Sequence, residues 1–185
     1  MTTPNSNQAS EAATAYAGPA SFQLDPAASA VSIAHKTFWG MGTVRGSFTK
    51  LSGSAEILAD GSGRGRLEID AASINTKNSK RDEHLRSKDF FNAGDHPQIV
   101  VELPQAARQG AESVTTTGTL TVAGQKRPLT LSARISEATG DAITLTADAD
   151  IDRADFGMSW NQLGMIKGKA HVSVVARFVK TAAAR

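Results

Sequence analysis

The feature that most constrains this chain is an alternation of apolar and polar residues, repeating every second position, that recurs from about residue 21 to residue 179. Such a period puts successive side chains on opposite faces of an extended strand, so each run predicts a strand with one face in an apolar interior and the other in water. Leu67, Ile69 and Ala71 alternate with Arg66, Glu68 and Asp70, and Leu129, Leu131, Ala133 and Ile135 alternate with Thr130, Ser132 and Arg134. The runs Ile143–Ile151 and Ala170–Phe178 repeat the pattern, and Val31 with Ile33, Leu120 with Val122, and Ile99–Leu103 add further strands. Turn chemistry falls between them at Asp60-Gly61-Ser62-Gly63, Gly124-Gln125-Lys126 and Thr139-Gly140-Asp141. Links this short join antiparallel neighbours. About eight strands of this kind predict an all-β fold, either a closed up-and-down barrel or a sandwich. A barrel removes the unpaired edges that an open sheet would present.

One segment, residues 75–96, lacks the period. The spacing predicts a helix of one to three turns around Ser79–Phe90, with Ser79 and Asp82 as a loose capping box and Gly94 and Pro97 as terminators. Leu85, Phe90 and Phe91 are its apolar anchors. The 185 residues fit one domain, expected over residues 21–180. Residues 1–20 contain a single charged residue, Glu11, and no Leu, Ile or Val, which predicts a mobile tail that cannot offset its ordering entropy. Residues 181–185 read as a short frayed end. No basic start followed by an apolar run is visible, so the expected location is cytoplasmic, or periplasmic or secreted if a leader has been removed.

Several chemistries are excluded or disfavoured. The chain has no cysteine, which rules out disulfides, thiol catalysis and thiolate metal sites. Twenty Lys and Arg against 18 Asp and Glu leave a formal net charge of +2, and no nucleic-acid partner is expected. The four histidines, His35, His84, His96 and His171, contain no i, i+4 pair, so no metal site is expected. No Gly-x-Ser-x-Gly elbow occurs, and Gly61-Ser-Gly-Arg-Gly65 lacks the Lys-Ser/Thr end of a phosphate loop. Arg81-Asp82-Glu83-His84 has the residue types for acid–base work, but the simpler reading is a helix face whose charges pair with one another. Arg153 and Asp155 read as a structural ion pair or turn brace.

Aromatic residues make up only 5% of the chain, so their clustering is informative. Phe38-Trp39 sits beside Gly40 and Gly42, Phe90-Phe91 ends the insertion, and Phe156, Met158 and Trp160 lie close to Met165. They either plug the barrel as core or line an open interior, since an eight-stranded barrel is just wide enough to be filled or to hold one small ligand. Small residues on the predicted inner faces (Ala71, Ala133, Ala147, Ala149, Ala170 and Ala176) favour space. The candidate ligand contacts are therefore Phe38, Trp39, Phe48, Leu85, Phe90, Phe91, Phe156, Met158, Trp160 and Met165.

Three blocks in order carry a family resemblance. Asp70-Ala-Ala-Ser73-Ile-Asn-Thr76 leads into Arg81-Asp-Glu-His-Leu-Arg-Ser-Lys-Asp-Phe-Phe91 and His96-Pro97; Gly118-Thr-Leu-Thr-Val-Ala-Gly124 precedes Lys126-Arg-Pro-Leu-Thr-Leu131; Asp152-Arg-Ala-Asp-Phe-Gly-Met-Ser-Trp160 follows. From about Phe22 to Val179 the chain resembles the YceI-like proteins, a lipocalin-like, polyisoprenoid-binding group. The resemblance implies an eight-stranded antiparallel lipocalin-like barrel with a short helical insertion. It implies binding, storage or transport of an isoprenoid quinone, a polyprenyl chain or a fatty-acyl compound, with no catalysis and no cofactor beyond that ligand. An enzyme that modifies such a lipid, or a ligand-sensing stress or regulatory module, stays open as an alternative. The basic segment Lys77–Lys88 either covers one end of the barrel, moving to admit the ligand and touching an anionic membrane transiently, or is a rigid insertion whose charges are spent on local pairs; a homodimer is compatible with the sequence.

Overall fold

Eight strands pair antiparallel in a closed ring: β1 (Ala20–Leu24), β4 (Leu51–Ile57), β5 (Gly63–Asp70), β7 (Gln98–Gln109), β8 (Ser113–Val122), β9 (Gln125–Ala138), β10 (Ala142–Ile151) and β11 (Ala170–Lys180), which returns to β1. This is the barrel alternative of the two that alternation allows. The computed structural model describes residues 18–110, 112–161, 164–166 and 168–181, so most of the expected N-terminal tail and residues 182–185 lie outside the described residues. Among the described residues no helix is long and apolar enough to cross a membrane.

Three further strands extend the wall. β2 (Ala30–Thr37) lies along β11 end to end with β1: Leu24 faces Phe178, while Val31 faces Val174 and Ile33 faces Val172. β3 (Gly42–Phe48) pairs with β2, and the two-residue β6 (Ile74–Asn75) pairs with β3 through Phe48 and Ile74. The break between β1 and β2 is a 3-10 corner, and the same device recurs. Asp25, Asp70 and Asp152 each accept a hydrogen bond from the backbone N–H two residues on (Ala27, Ala72 and Ala154) at 2.9–3.0 Å. An aspartate at a strand end thus turns the chain without leaving that N–H unpaired.

Gly118 and Gly124 are required by their surroundings. A Cβ on Gly118 would lie 2.0 Å from the Glu102 carbonyl oxygen. That contact sits at the register shift between Glu102 and Gln105, where β7 bulges around Pro104. The β8–β9 turn is Ala123-Gly124, both with positive φ (47° and 76°), and a Cβ on Gly124 would also strike the His96 ring.

The strand directions give the barrel two different ends. At one end Phe22, Leu24, Ala176 and Phe178 pack into a buried plug, with Phe22 only 1% exposed. Burying a side chain of that size stabilises by about 1.5–3 kcal/mol. At the other end lie the β2–β3 hairpin tip, the segment after β10 and α1 (Ser79–Arg86). The helix is shorter than the expected Ser79–Phe90. Its N-cap is Asn78, whose side chain accepts from the Arg81 N–H, rather than Ser79. Ser87 leaves helical geometry, its N–H and hydroxyl both donating to the His84 carbonyl, and this turns Phe90 and Phe91 back toward the barrel.

Candidate ligand-binding cavity

The barrel half beneath α1 is hollow, with a cavity of about 490 Å³. This lies within the range of small-molecule sites, about 300–1,000 Å³. Its wall comes from inward positions of the strands: Val31 and Ile33 of β2, Leu67 and Ile69 of β5, Ile99 and Val101 of β7. Leu120, Leu129, Leu131, Ile151, Val172 and Val174 continue it. Cross-strand register stacks these side chains in layers: Leu67 lies beside Val101 and Val101 beside Leu120, while Ala149, Val172 and Ile33 run across three strands.

Aromatic residues roof this wall. Phe91 meets Phe48 edge-on at 5.6 Å between ring centres, and Trp160 lies 5.6 Å from Phe90. The His84 ring stands edge-on between them, 5.1 Å from Phe90 and 4.5 Å from Trp160. Leu85 enters from α1, and Phe156 and Met158, both buried, come from the segment after β10. Phe48, Leu85, Phe90, Phe91, Phe156, Met158 and Trp160 are thus brought together on one cavity.

The other candidates are placed differently. Trp39 is 54% exposed and points away from the cavity, because its left-handed backbone (φ 57°, ψ 26°) turns it out of the hairpin. Met165 is half-buried beside the hairpin tip, where its carbonyl accepts from the Trp39 N–H, and does not line the cavity. The Phe38 side chain lies outside the described residues. Of the six alanines expected to open the interior, only Ala149 and Ala170 line it. Ala71 is fully buried in the adjoining core and Ala176 belongs to the plug, so those two fill space. The aliphatic wall is legible in the period-2 runs; selecting the aromatic clusters and their neighbours Leu85, Met158 and Met165 passes over it.

Five nitrogen-bearing side chains reach the cavity at its helix end: His35, Lys80, Arg81, His84 and Arg153, with no carboxylate among the described lining residues. The expected pairing of helix charges with one another is replaced by anchoring to the backbone. Asp82, 6% exposed, accepts from the Thr76 N–H at 2.9 Å and from its hydroxyl. Arg81 donates to the Thr76 hydroxyl oxygen (2.7 Å) and carbonyl (2.9 Å), and Arg86 to the carbonyls of Ala72 and Ile74. His84 pairs with Asp89 at 2.8 Å. The His35 ring meets two carbonyls, Lys36 at 2.8 Å and Gly168 at 3.1 Å. Arg153 donates to the Trp160 carbonyl rather than pairing with Asp155, which places Trp160 in the roof; burial lowers its pKa, with Asp152 opposing.

Two other charged clusters lie on the outer surface. A groove crossing β5, β7 and β8 holds Arg66 and Lys126 on either side of Glu102, each 2.7 Å or less away, so its charges are mutually paired. On β10 and β11, His171 hydrogen-bonds Asp150 at 2.9 Å, which holds its pKa above the usual range. Ser173 lies 3.4 Å from the same ring but donates its proton to Asp148 at 2.6 Å.

A closed antiparallel barrel, plugged at one end and hollow with apolar walls at the other, defines a lipocalin-like barrel. The model of the YceI-like domain matches residues 22–178, and the chain belongs to that family. Protein YceI of Escherichia coli O157:H7 is 37% identical over 69 residues, 37% of this chain and 36% of that protein. UPF0312 protein VPA0850 of Vibrio parahaemolyticus is 27% identical over 106 residues, 55% of each chain. The chain thus matches about a third of the length of the first relative and about half of the second. Among solved structures, Burkholderia cenocepacia BcnA superposes with a TM-score of 0.75 at 22% identity, covering 83% of this chain and 98% of that one. A polyisoprenoid binding domain from Saccharophagus degradans gives 0.70 at 18% identity, covering 86% and 98%. Both likenesses are of fold.

Proposed function

We propose that the protein holds one long apolar molecule, an isoprenoid, a quinone or a fatty-acyl compound, in the barrel cavity and stores or carries it without chemical change. The observation that carries this reading is the cavity itself: about 490 Å³, walled by aliphatic strand residues and roofed by Phe90, Phe91 and Trp160. Burial stabilises a bound chain by about 0.8 kcal/mol per CH₂, so length is the main determinant of affinity. The polar end of the ligand belongs at the helix end, beside Lys80 and Arg153, where the lining offers donors. Four of the five titratable groups there are already committed to carbonyls or to Asp89, which favours holding over reacting. The description of the Saccharophagus degradans neighbour as a polyisoprenoid binding domain supports the ligand class.

The test is native mass spectrometry and solvent extraction of protein purified from its own host, beside an Ala149→Trp variant that fills the cavity. The wild type is expected to release an apolar chain in near-stoichiometric amount, and the filled variant to keep its fold and release little. A wild-type protein that is empty and takes up no lipid from detergent refutes the reading, as does equal binding by a folded variant.

A further inference from the structure

The β2–β3 hairpin tip exposes two large apolar side chains on either side of Gly40: Trp39, 54% exposed, and Met41, 83% exposed. Val175, on the outer face of β11, is the other large apolar side chain that stands exposed among the described residues. Trp39 adopts a left-handed backbone (φ 57°) that a bulky residue rarely takes, with Gly40 (φ 96°) directly after it. A turn selected only to reverse the chain would place glycine or asparagine at such a position. Strain and exposure together at one tryptophan point to a use for that side chain.

The tip stands at the hollow end of the barrel. The Trp39 N–H donates to the Met165 carbonyl at 3.3 Å, and the next residue, Ile166, lines the cavity. His35, which also lines it, binds the Gly168 carbonyl, so the segment leading to Lys169 runs beside the hairpin. Lys36 and Lys169 are exposed beside the tip, and Lys80 is exposed on α1 at the same end. None of the three pairs with a carboxylate among the described residues, whereas Lys88 pairs with Asp95. The membrane contact expected of the helix's basic residues is poorly served by Arg81 and Arg86, which are turned toward backbone carbonyls.

We propose that the Trp39–Met41 tip docks the protein on an anionic lipid bilayer. Trp39 and Met41 enter the boundary between headgroups and acyl chains, and Lys36, Lys80 and Lys169 face the anionic headgroups. Tryptophan is favoured at that boundary because its ring is apolar and its N–H stays hydrated. Each lysine near such a surface strengthens binding by about fivefold, an effect that salt removes. The geometry holds the hollow half of the barrel toward the bilayer, so an apolar chain can pass between them with little exposure to water. That purpose rests on the carrier reading above; the docking itself does not.

The experiment is co-sedimentation of the full chain with phosphatidylcholine vesicles containing or lacking phosphatidylglycerol, at low and high salt. It is combined with brominated-lipid quenching of Trp39 in a Trp160→Phe background. Salt-sensitive binding to the anionic vesicles and quenching of Trp39 are expected. The double variant Trp39→Ser/Met41→Ser is expected to lose at least about tenfold in vesicle affinity with an unchanged melting temperature, because both side chains are exposed. Lys36→Glu/Lys169→Glu is expected to weaken binding to anionic vesicles only. Absence of vesicle binding by the wild type, unquenched Trp39 on bound protein, or equal binding by the serine variant overturns the proposal. Lipid uptake from detergent is measured in parallel and reports on the carrier reading alone. Protein that docks through the tip yet takes up no lipid keeps this inference and refutes carriage.

Discussion

The network beneath α1 makes a quantitative prediction. Asp82 and Thr76 are both buried, at 6% and 5% exposure, and the carboxylate accepts from two donors of Thr76, one backbone and one hydroxyl. Asp82→Ala removes both bonds and leaves a buried backbone N–H without its partner. Hydrogen bonds to a charged group contribute about 1.5–3 kcal/mol each, so the expected loss is about 3–5 kcal/mol. For a chain of this size each kcal/mol moves the melting temperature by about 2–4 °C, which predicts a fall of roughly 6–20 °C. Asp82→Asn keeps an acceptor oxygen without the charge and should lose about half as much. Because Arg81 reaches the same threonine, the loss should localise. Amide exchange over residues 76–91 is expected to accelerate well before that of β8 and β9, and bound lipid should dissociate faster. Calorimetric melts and exchange mass spectrometry read both effects. A loss below about 1 kcal/mol, or uniform acceleration across the barrel, would show that α1 is held by its apolar contacts instead.

Phe22→Ala should cost about 3–5 kcal/mol because the side chain is fully buried in the plug, whereas Trp160→Ala, half-buried in the roof, should cost less in the ligand-free protein while weakening lipid retention; denaturant melts with and without lipid separate the two. Gly118→Ala would push a Cβ into the Glu102 carbonyl at the β7 bulge, so a loss of about 3 kcal/mol, at the upper end for overpacking, is expected by urea titration. The hydrogen bond from His171 to Asp150, opposed by desolvation and aided by the charges of Asp150 and Asp148, raises the histidine's pKa. Its stabilising contribution is therefore fully present below the unfolded value of about 6.5 and lost as pH rises through the folded value. An NMR titration should find the midpoint above that value, and Asp150→Asn should lower it.

Much of this molecule is written in local chemistry. The alternation of Leu67, Ile69 and Ala71 with Arg66, Glu68 and Asp70 determines a half-buried strand whatever it pairs with, because a period of two has only two faces. Asp25, Asp70 and Asp152, each two residues before an alanine, determine corners, since an aspartate oxygen reaches the N–H two positions on without help from elsewhere. The residues of the cavity roof were legible as clusters, and the family as ordered motifs. What needed the tertiary structure was everything set by partners distant in sequence. Whether an inward alanine opens space or fills it depends on the strands opposite: Ala149 faces the cavity, while Ala176 packs with Phe22 and Leu24 in the plug. Trp39 and Trp160 share a composition signal, yet a left-handed backbone turns the first into solvent and Arg153, bound to the carbonyl of the second, holds it in the roof. Arg81, Asp82 and Arg86 look like a self-paired helix face until the chain brings residues 72–76 alongside. A strand or a corner is the outcome of contacts within a few residues. A cavity is the space left among many strands at once, and only their closed packing decides where it lies.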